Sequence, residues 1–168
     1  MNRRAVHEAG HGLAAIALPA VSLLGLSLKR SISSRGHPLS SHCDVDFQRR
    51  TGECLPSTCK RRMTLGYAGS AVEALFFHED PCEVLARRQD DRHVILNCVH
   101  ILRSEDVSES VVCSCRKQAW EEAQRMARTN KAAVCTVAQV LTLRRVLSGP
   151  EVEAVVQRLV RYVYRPWR

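Results

Sequence analysis

His7 and His11 stand four residues apart with Glu8 between them, in the run His7-Glu8-Ala9-Gly10-His11. Four residues is close to one turn of an α-helix, so both imidazoles project from one face and can reach a single Zn²⁺. Glu8, one residue along, is placed to act as general base toward a water at that ion. The chemistry such a set supports is metal-assisted hydrolysis. A catalytic zinc takes a third protein ligand and keeps one position open for water. The extended pattern H-E-x-x-H-x-x-G-x-x-H would put Gly at 14 and His at 17, but the chain has Ala14 and Ala17. The third ligand therefore comes from a later helix, with Glu73, Glu79, Asp80, Asp90 and Asp91 as the acidic candidates. Residue type and spacing do not choose among them.

A helix must carry the two histidines, and the pattern supplies one. Val6, Leu13, Ala14 and Leu18 recur at helical spacing over residues 2–18, and Pro19 ends the run. Gly10 lowers helix propensity, which is understandable if something must pack closely there. Val21 to Lys29 reads as a strand with one irregularity at Gly25, and residues 31–59 as a long polar loop with a short strand at Cys43–Phe47. From Lys60 the pattern is helical, with Met63, Leu65, Ala68, Ala71, Val72 and Leu75 apolar and Gly66 and Gly69 allowing close approach. Further helices are expected at about Asp90–Leu102, Ser108–Arg128, Lys131–Leu147 and Glu151–Tyr164, the last after the Ser148-Gly149-Pro150 stop and start. The expected fold is mainly α (α+β), a helical domain with a small N-terminal β-sheet.

The 168 residues suit a single domain, 1–168. Hydrophobic residues at 45% and charged residues at 25% can form a core and exclude a disordered chain, while only 5% aromatics means a core of Leu, Val, Ile and Ala. A net charge of +8 favours anionic partners in general. No interleaving of basic and aromatic residues accompanies it, so no nucleic-acid partner is expected. The start, Met1 to Leu28, imitates a signal peptide, but His7, Glu8 and His11 fall within its apolar part and Pro19, Ser22, Gly25 and Ser27 interrupt it. No membrane segment is expected. Eight cysteines are scattered, with only Cys113 and Cys115 close together and Cys98 and Cys135 inside apolar patterns. Such thiols read as small core residues of a reduced, cytoplasmic protein rather than as a disulfide framework or zinc ribbon.

Other sets carry less. His37, His42 and Cys43 could make a second metal site but sit in polar sequence that explains them as solvated residues. His78, His93 and His100 are scattered over helices, and Lys60-Arg61-Arg62 and Arg87-Arg88 read as solvated basic runs. Arg158, Arg161, Arg165 and Arg168 form the polar side of the last helical pattern. No Ser/His/Asp triad is recognisable.

Val6-His7-Glu8-Ala9-Gly10-His11-Gly12-Leu13 resembles the zinc helix of the FtsH-type ATP-dependent metalloproteases. Tyr67-Ala68-Gly69-Ser70-Ala71-Val72-Glu73-Ala74-Leu75 is similar to the G-G-R-A-A-E-E-L helix of that family, and Asp90-Asp91 with the apolar helix after it to the segment completing the zinc site. Leu141-Thr142-Leu143-Arg144-Arg145-Val146-Leu147-Ser148-Gly149-Pro150-Glu151-Val152 resembles its closing signature. The resemblance spans nearly the whole chain, with the landmarks in family order. It implies a helical zinc-metallopeptidase domain in which His7, His11 and Asp91 hold Zn²⁺, with Asp90 the alternative one residue away. Glu8 would be the general base, and Glu73 an acid beside the zinc helix. The implied activity is a zinc metalloendopeptidase. The chain departs from the family in having no P-loop and no membrane anchor, and in its basic, Cys-rich stretch 31–62. The expectation is therefore ATP-independent cleavage of flexible or unfolded polypeptides, with any ATPase acting in trans and the 23–29 strand as the edge that pairs with substrate. The rival is a non-catalytic, metal-binding interaction protein on the same fold, against which the presence of Glu8 argues.

Overall fold

Asn2 starts the first helix, α1 (Arg3–Ala17), by accepting hydrogen bonds from the backbone N–H groups of Arg4 and Ala5. The computed structural model describes residues 1–29, 31–32, 38–39 and 41–157. Ala5 through Ala15 are all buried, so α1 lies inside the molecule rather than on its surface. Its small residues make that possible, since Ala9, Gly10, Gly12 and Ala14 let neighbouring elements close in from several sides. Strand β1 (Val21–Ser27) follows, then the short pair β2 (Ser31–Ile32) and β3 (Pro38–Leu39), and β4 (His42–Phe47). The long helix α2 (Leu55–Phe77) packs against α1 and is followed by α3 (Pro81–Arg87) and α4 (Gln89–Ser104). Next come α5 (Glu109–Thr129) and α6 (Lys131–Arg144), then strand β5 (Val146–Ser148) and α7 (Gly149–Val156). Tyr67 of α2 meets Trp120 of α5 edge to face, at 5.3 Å between ring centroids. The fold is mainly α with a small antiparallel sheet, as expected. No helix among the described residues is long and apolar enough to cross a membrane.

The sheet has the order β4-β1-β5. β1 pairs with β4 from Val21↔Phe47 to Ser27↔His42, with an irregularity between Leu23 and Gly25, and with β5 from Gly25↔Ser148 to Ser27↔Val146. This corrects the expectation that β1 is the free edge. The segment Val146–Ser148 does not continue a helix: Arg145 turns left-handed at φ 68°, ends α6, and sends Leu147 into the core while its backbone pairs with β1. The rest of that side is closed by Gly149, where a Cβ would stand 1.8 Å from the Leu23 carbonyl oxygen. Among the described residues the sheet's outer edges are therefore the far sides of β4 and of the shorter β5, not β1.

Residues 31–59 also depart from the long loop expected. β4 adds to β1 along its whole length, and α2 begins at Leu55, five residues before the apolar periodicity becomes visible. Pro56 suits the first turn of that helix because its missing N–H has no helical partner there in any case. Arg61 explains why the early turns of α2 hold. Its side chain is fully buried, donates to Glu53 at 2.7 Å, to the Gln48 carbonyl at 2.8 Å and to the Pro19 carbonyl, and stacks on Phe47. One guanidinium thus ties α2 to the end of β4 and to the turn between α1 and β1. Glu53, paired with it, is held below the usual carboxylate range: burial opposes this, and the Arg61 and Thr58 hydrogen bonds outweigh it. His37 and the basic positions Arg158, Arg161, Arg165 and Arg168 lie outside the described residues.

Candidate metal centre

Two glycines bring α1 against α2. A Cβ on Gly10 would lie 2.8 Å from the Ala68 carbonyl oxygen and 3.1 Å from the Gly69 Cα, so the backbones cross in contact. A Cβ on Gly69 would stand 2.4 Å from His11 Nε2 and 2.7 Å from His7 Cε1. The two imidazoles therefore lie directly over Gly69. One turn earlier, a Cβ on Gly66 would meet Ile95 at 3.3 Å and the Asp91 carbonyl oxygen at 3.5 Å, so α4 runs close beside α2 there. This approach brings the Asp91 side chain to the histidines.

The three side chains converge on one point. His11 Nε2 lies 3.1 Å from His7 Nε2 and 3.1 Å from Asp91 Oδ1, and His7 Nε2 lies 3.2 Å from Asp91 Oδ2. Ligand atoms on a tetrahedral zinc with bonds of about 2.0–2.1 Å stand about 3.3–3.4 Å apart. The donor set fits that ion in chemistry and in spacing. Among the described residues no other three His, Cys, Asp or Glu side chains bring ligand atoms within 4.8 Å of one another.

The far nitrogens of both rings are anchored. His11 Nδ1 is 2.9 Å from the Leu65 carbonyl, which can only accept, so Nδ1 carries the proton and Nε2 turns its lone pair inward. His7 Nδ1 is 3.1 Å from Glu73 Oε2. Glu73 is fully buried and in turn accepts from Arg88 at 2.6 and 3.0 Å and from Arg3 at 3.0 Å. Burial opposes its ionisation, but the His7 and Arg88 hydrogen bonds prevail and bring its pKa down to about 2. An ionised Glu73 accepts the Nδ1 proton and aims His7 Nε2 at the centre.

The same carboxylates act on His7 directly. Burial disfavours its imidazolium, yet Asp91, Glu73 and Glu8 overcome this and raise its pKa to about 9. Asp91 is held well below the usual carboxylate range, against burial, by His11 and His7. The pocket is built to surround a cation. Ser70 Oγ donates to Asp91 Oδ2 at 3.3 Å. Glu8 is buried, 4% exposed, and makes no hydrogen bond among the described residues. Its carboxylate is thus left available as a base.

Each of the five acidic candidates has a distinct place. Glu73 serves the outer nitrogen of His7; Glu79 binds Arg3 at 2.7 Å and pairs with Arg87. Asp80 caps α3 through the Cys82 and Glu83 N–H groups, at 2.8 and 3.1 Å. Asp90 is exposed in the first turn of α4, and of the five only Asp91 reaches the facing Nε2 atoms of both histidines. Cys43 was set with His37 and His42 by sequence, whereas the structure puts His42 beside Asp44 at 3.3 Å. Cys43 stands on β4 opposite Leu26 of β1, and its thiol is pushed well above its usual range by burial and then by Glu8, Asp44 and Asp91. The signal for it was the alternation of Cys43, Val45 and Phe47, the less exposed positions of β4. Ser70 was missed because a single serine on an apolar helix carries no pattern. Cys59, Cys98 and Cys115 are buried core residues.

Gly69→Ala is expected to fold, since alanine favours helix by about 1 kcal/mol, but to lose zinc affinity about tenfold or more. Both rings are tethered on their far sides and cannot retreat from the new methyl group without breaking those bonds. Zinc competition against a chromophoric chelator measures this. Unchanged affinity would show that the rings are not held over Gly69.

A comparison with protein-family models and with curated proteins finds no match to this chain.

Proposed function

We propose that the chain is a zinc-dependent metalloendopeptidase of the FtsH type that cleaves flexible or unfolded polypeptides. The observation that carries this reading is the convergence of His7, His11 and Asp91 at 3.1–3.2 Å, with a buried Glu8 on the same helix whose carboxylate has no hydrogen-bond partner among the described residues. A zinc ion held there supplies a water with a pKa near about 7 and polarises the scissile carbonyl. His7, His11 and Asp91 hold it, and Glu73 and the Leu65 carbonyl fix the two rings. Glu8 takes the proton of the attacking water and delivers it to the leaving amine. An extended substrate pairs with the open edge of β4, where main-chain bonds bind any sequence and side-chain contacts add preference. A cytoplasmic setting belongs to the same reading, supported by the buried thiols of Cys59, Cys98 and Cys115 packed as small apolar groups.

A folded domain is stabilised by about 5–15 kcal/mol, and this chain carries no P-loop with which to work against that. A single test protein, supplied native and permanently unfolded, is therefore expected to be cut by the zinc-loaded chain without ATP only in its unfolded form. A strong chelator should stop the reaction. Equal cleavage of both forms would contradict the substrate assignment. Cleavage of neither form, with zinc confirmed in place, would transfer the fold to the non-catalytic, metal-binding reading.

A further inference from the structure

Asn2, Arg3, Arg4, Glu73, Arg87 and Arg88 line a cavity of about 450 Å³ on the side of Glu73 away from the metal centre. Four of these six side chains are arginines. Two carboxylates answer them: Glu73, which accepts from Arg3 and Arg88, and Glu79, which accepts from Arg3 and Arg87. Arg4 is exposed and makes no ion pair among the described residues. Two positive charges are thus left without a counterpart within this group. The guanidiniums keep unspent donors as well, since Arg3, Arg87 and Arg88 retain 41%, 50% and 23% of their side-chain exposure.

The position of Arg3 and Arg4 is itself unusual. The first turn of α1 contains no acidic residue. The N-terminal end of a helix is positive and favours carboxylates, so arginines there work against the helix that carries them. Here Asn2 caps the backbone, and the arginines add their charge to that of the helix end at the mouth of one cavity. Arg87 and Arg88, from the junction of α3 and α4, complete the other wall. The helix-dipole rule is broken at the start of α1, and the two arginines placed there meet Arg87 and Arg88 at the same cavity, an excess of guanidinium that points to an anionic ligand.

We propose that this cavity binds a phosphoryl group. A phosphate dianion matches the two uncompensated charges, and the planar arginine fork matches its oxygens in a bidentate manner that a chloride cannot use. The site stands apart from the metal, on the outer side of the Glu73 carboxylate, and does not depend on the hydrolytic reading. The volume accommodates either free phosphate or a phosphate carried on a nucleotide.

The test is calorimetric titration of the full chain with inorganic phosphate and separately with ADP, at near-physiological salt. One saturable site is expected, and Arg4→Glu and the double variant Arg4→Ala/Arg87→Ala should each weaken it by about tenfold or more. Both positions are exposed, and circular dichroism checks that the variants fold. His11→Ala should bind phosphate as the unaltered chain does. Comparable affinities assign free phosphate, and ADP binding tighter by about tenfold assigns a nucleotide; either upholds the site. Absence of saturable binding to both ligands, or binding indifferent to the arginine variants, would overturn it. Binding lost in His11→Ala but kept in the arginine variants would place the anion at the metal centre and also overturn it.

Discussion

Glu8→Gln is expected to retain zinc and to lose peptide hydrolysis by about 10²–10⁴-fold. Glu8 lies on the same helix as both histidines and is buried beside them, yet it makes no hydrogen bond among the described residues. Glutamine keeps its shape and removes its ability to take a proton. The three side chains that converge, His7, His11 and Asp91, are untouched, so metal content should not fall. The comparison needs zinc content and initial rates on an unfolded protein, measured on the same preparations. Equal rates in the variant would remove Glu8 from the mechanism. Loss of zinc together with activity would instead make it part of the metal-holding set.

Asp91→Ala is expected to lower zinc affinity by more than about 100-fold, since a bond to the metal is lost and not merely its outer support. The variant leaves His7 and His11 facing each other at 3.1 Å without the carboxylate that bridges them at 3.1 and 3.2 Å. Asp90→Ala is the control. Asp90 is exposed in the first turn of α4, where a carboxylate contributes about 0.3–1 kcal/mol through the helix dipole. Its variant should therefore bind zinc normally and melt slightly earlier. Zinc lost only from the Asp90 variant would mean that the side chains reach the metal in a register shifted by one residue.

The helix that carries His7 and His11 was legible because a fixed spacing, an apolar period and a terminating proline agree over residues 2–18. The third acidic side chain was not legible from the residues alone. Five carboxylates were open, and what separates them is tertiary: Gly66 lets α4 close on α2, and that approach brings in Asp91 rather than Asp90. Glycines signalled close packing but could not say against what; Gly69 turned out to lie under the histidines themselves. The early turns of α2 escaped because what holds them is the Arg61 network and not an apolar stripe. Strand β5 escaped because Leu141 to Leu147 has a helical period, which the left-handed turn at Arg145 breaks. That one turn also lets β5 cover the side of β1 that β4 leaves open, so β1 is a central strand. The arginine-lined cavity was invisible because Arg3 and Arg4 stand some 80 positions from Arg87 and Arg88 in the chain.

Metal content, measured on the unaltered chain beside His11→Ala, tests the central claim most directly. His11 contributes one of three converging ligand atoms, and its far nitrogen is held by the Leu65 carbonyl at 2.9 Å. Chain purified without chelator should carry about one zinc per molecule, and the His11→Ala protein should carry almost none while keeping its helical content. An unaltered chain that holds no metal and cannot be loaded with zinc, or a His11→Ala variant that holds zinc equally well, would contradict the account.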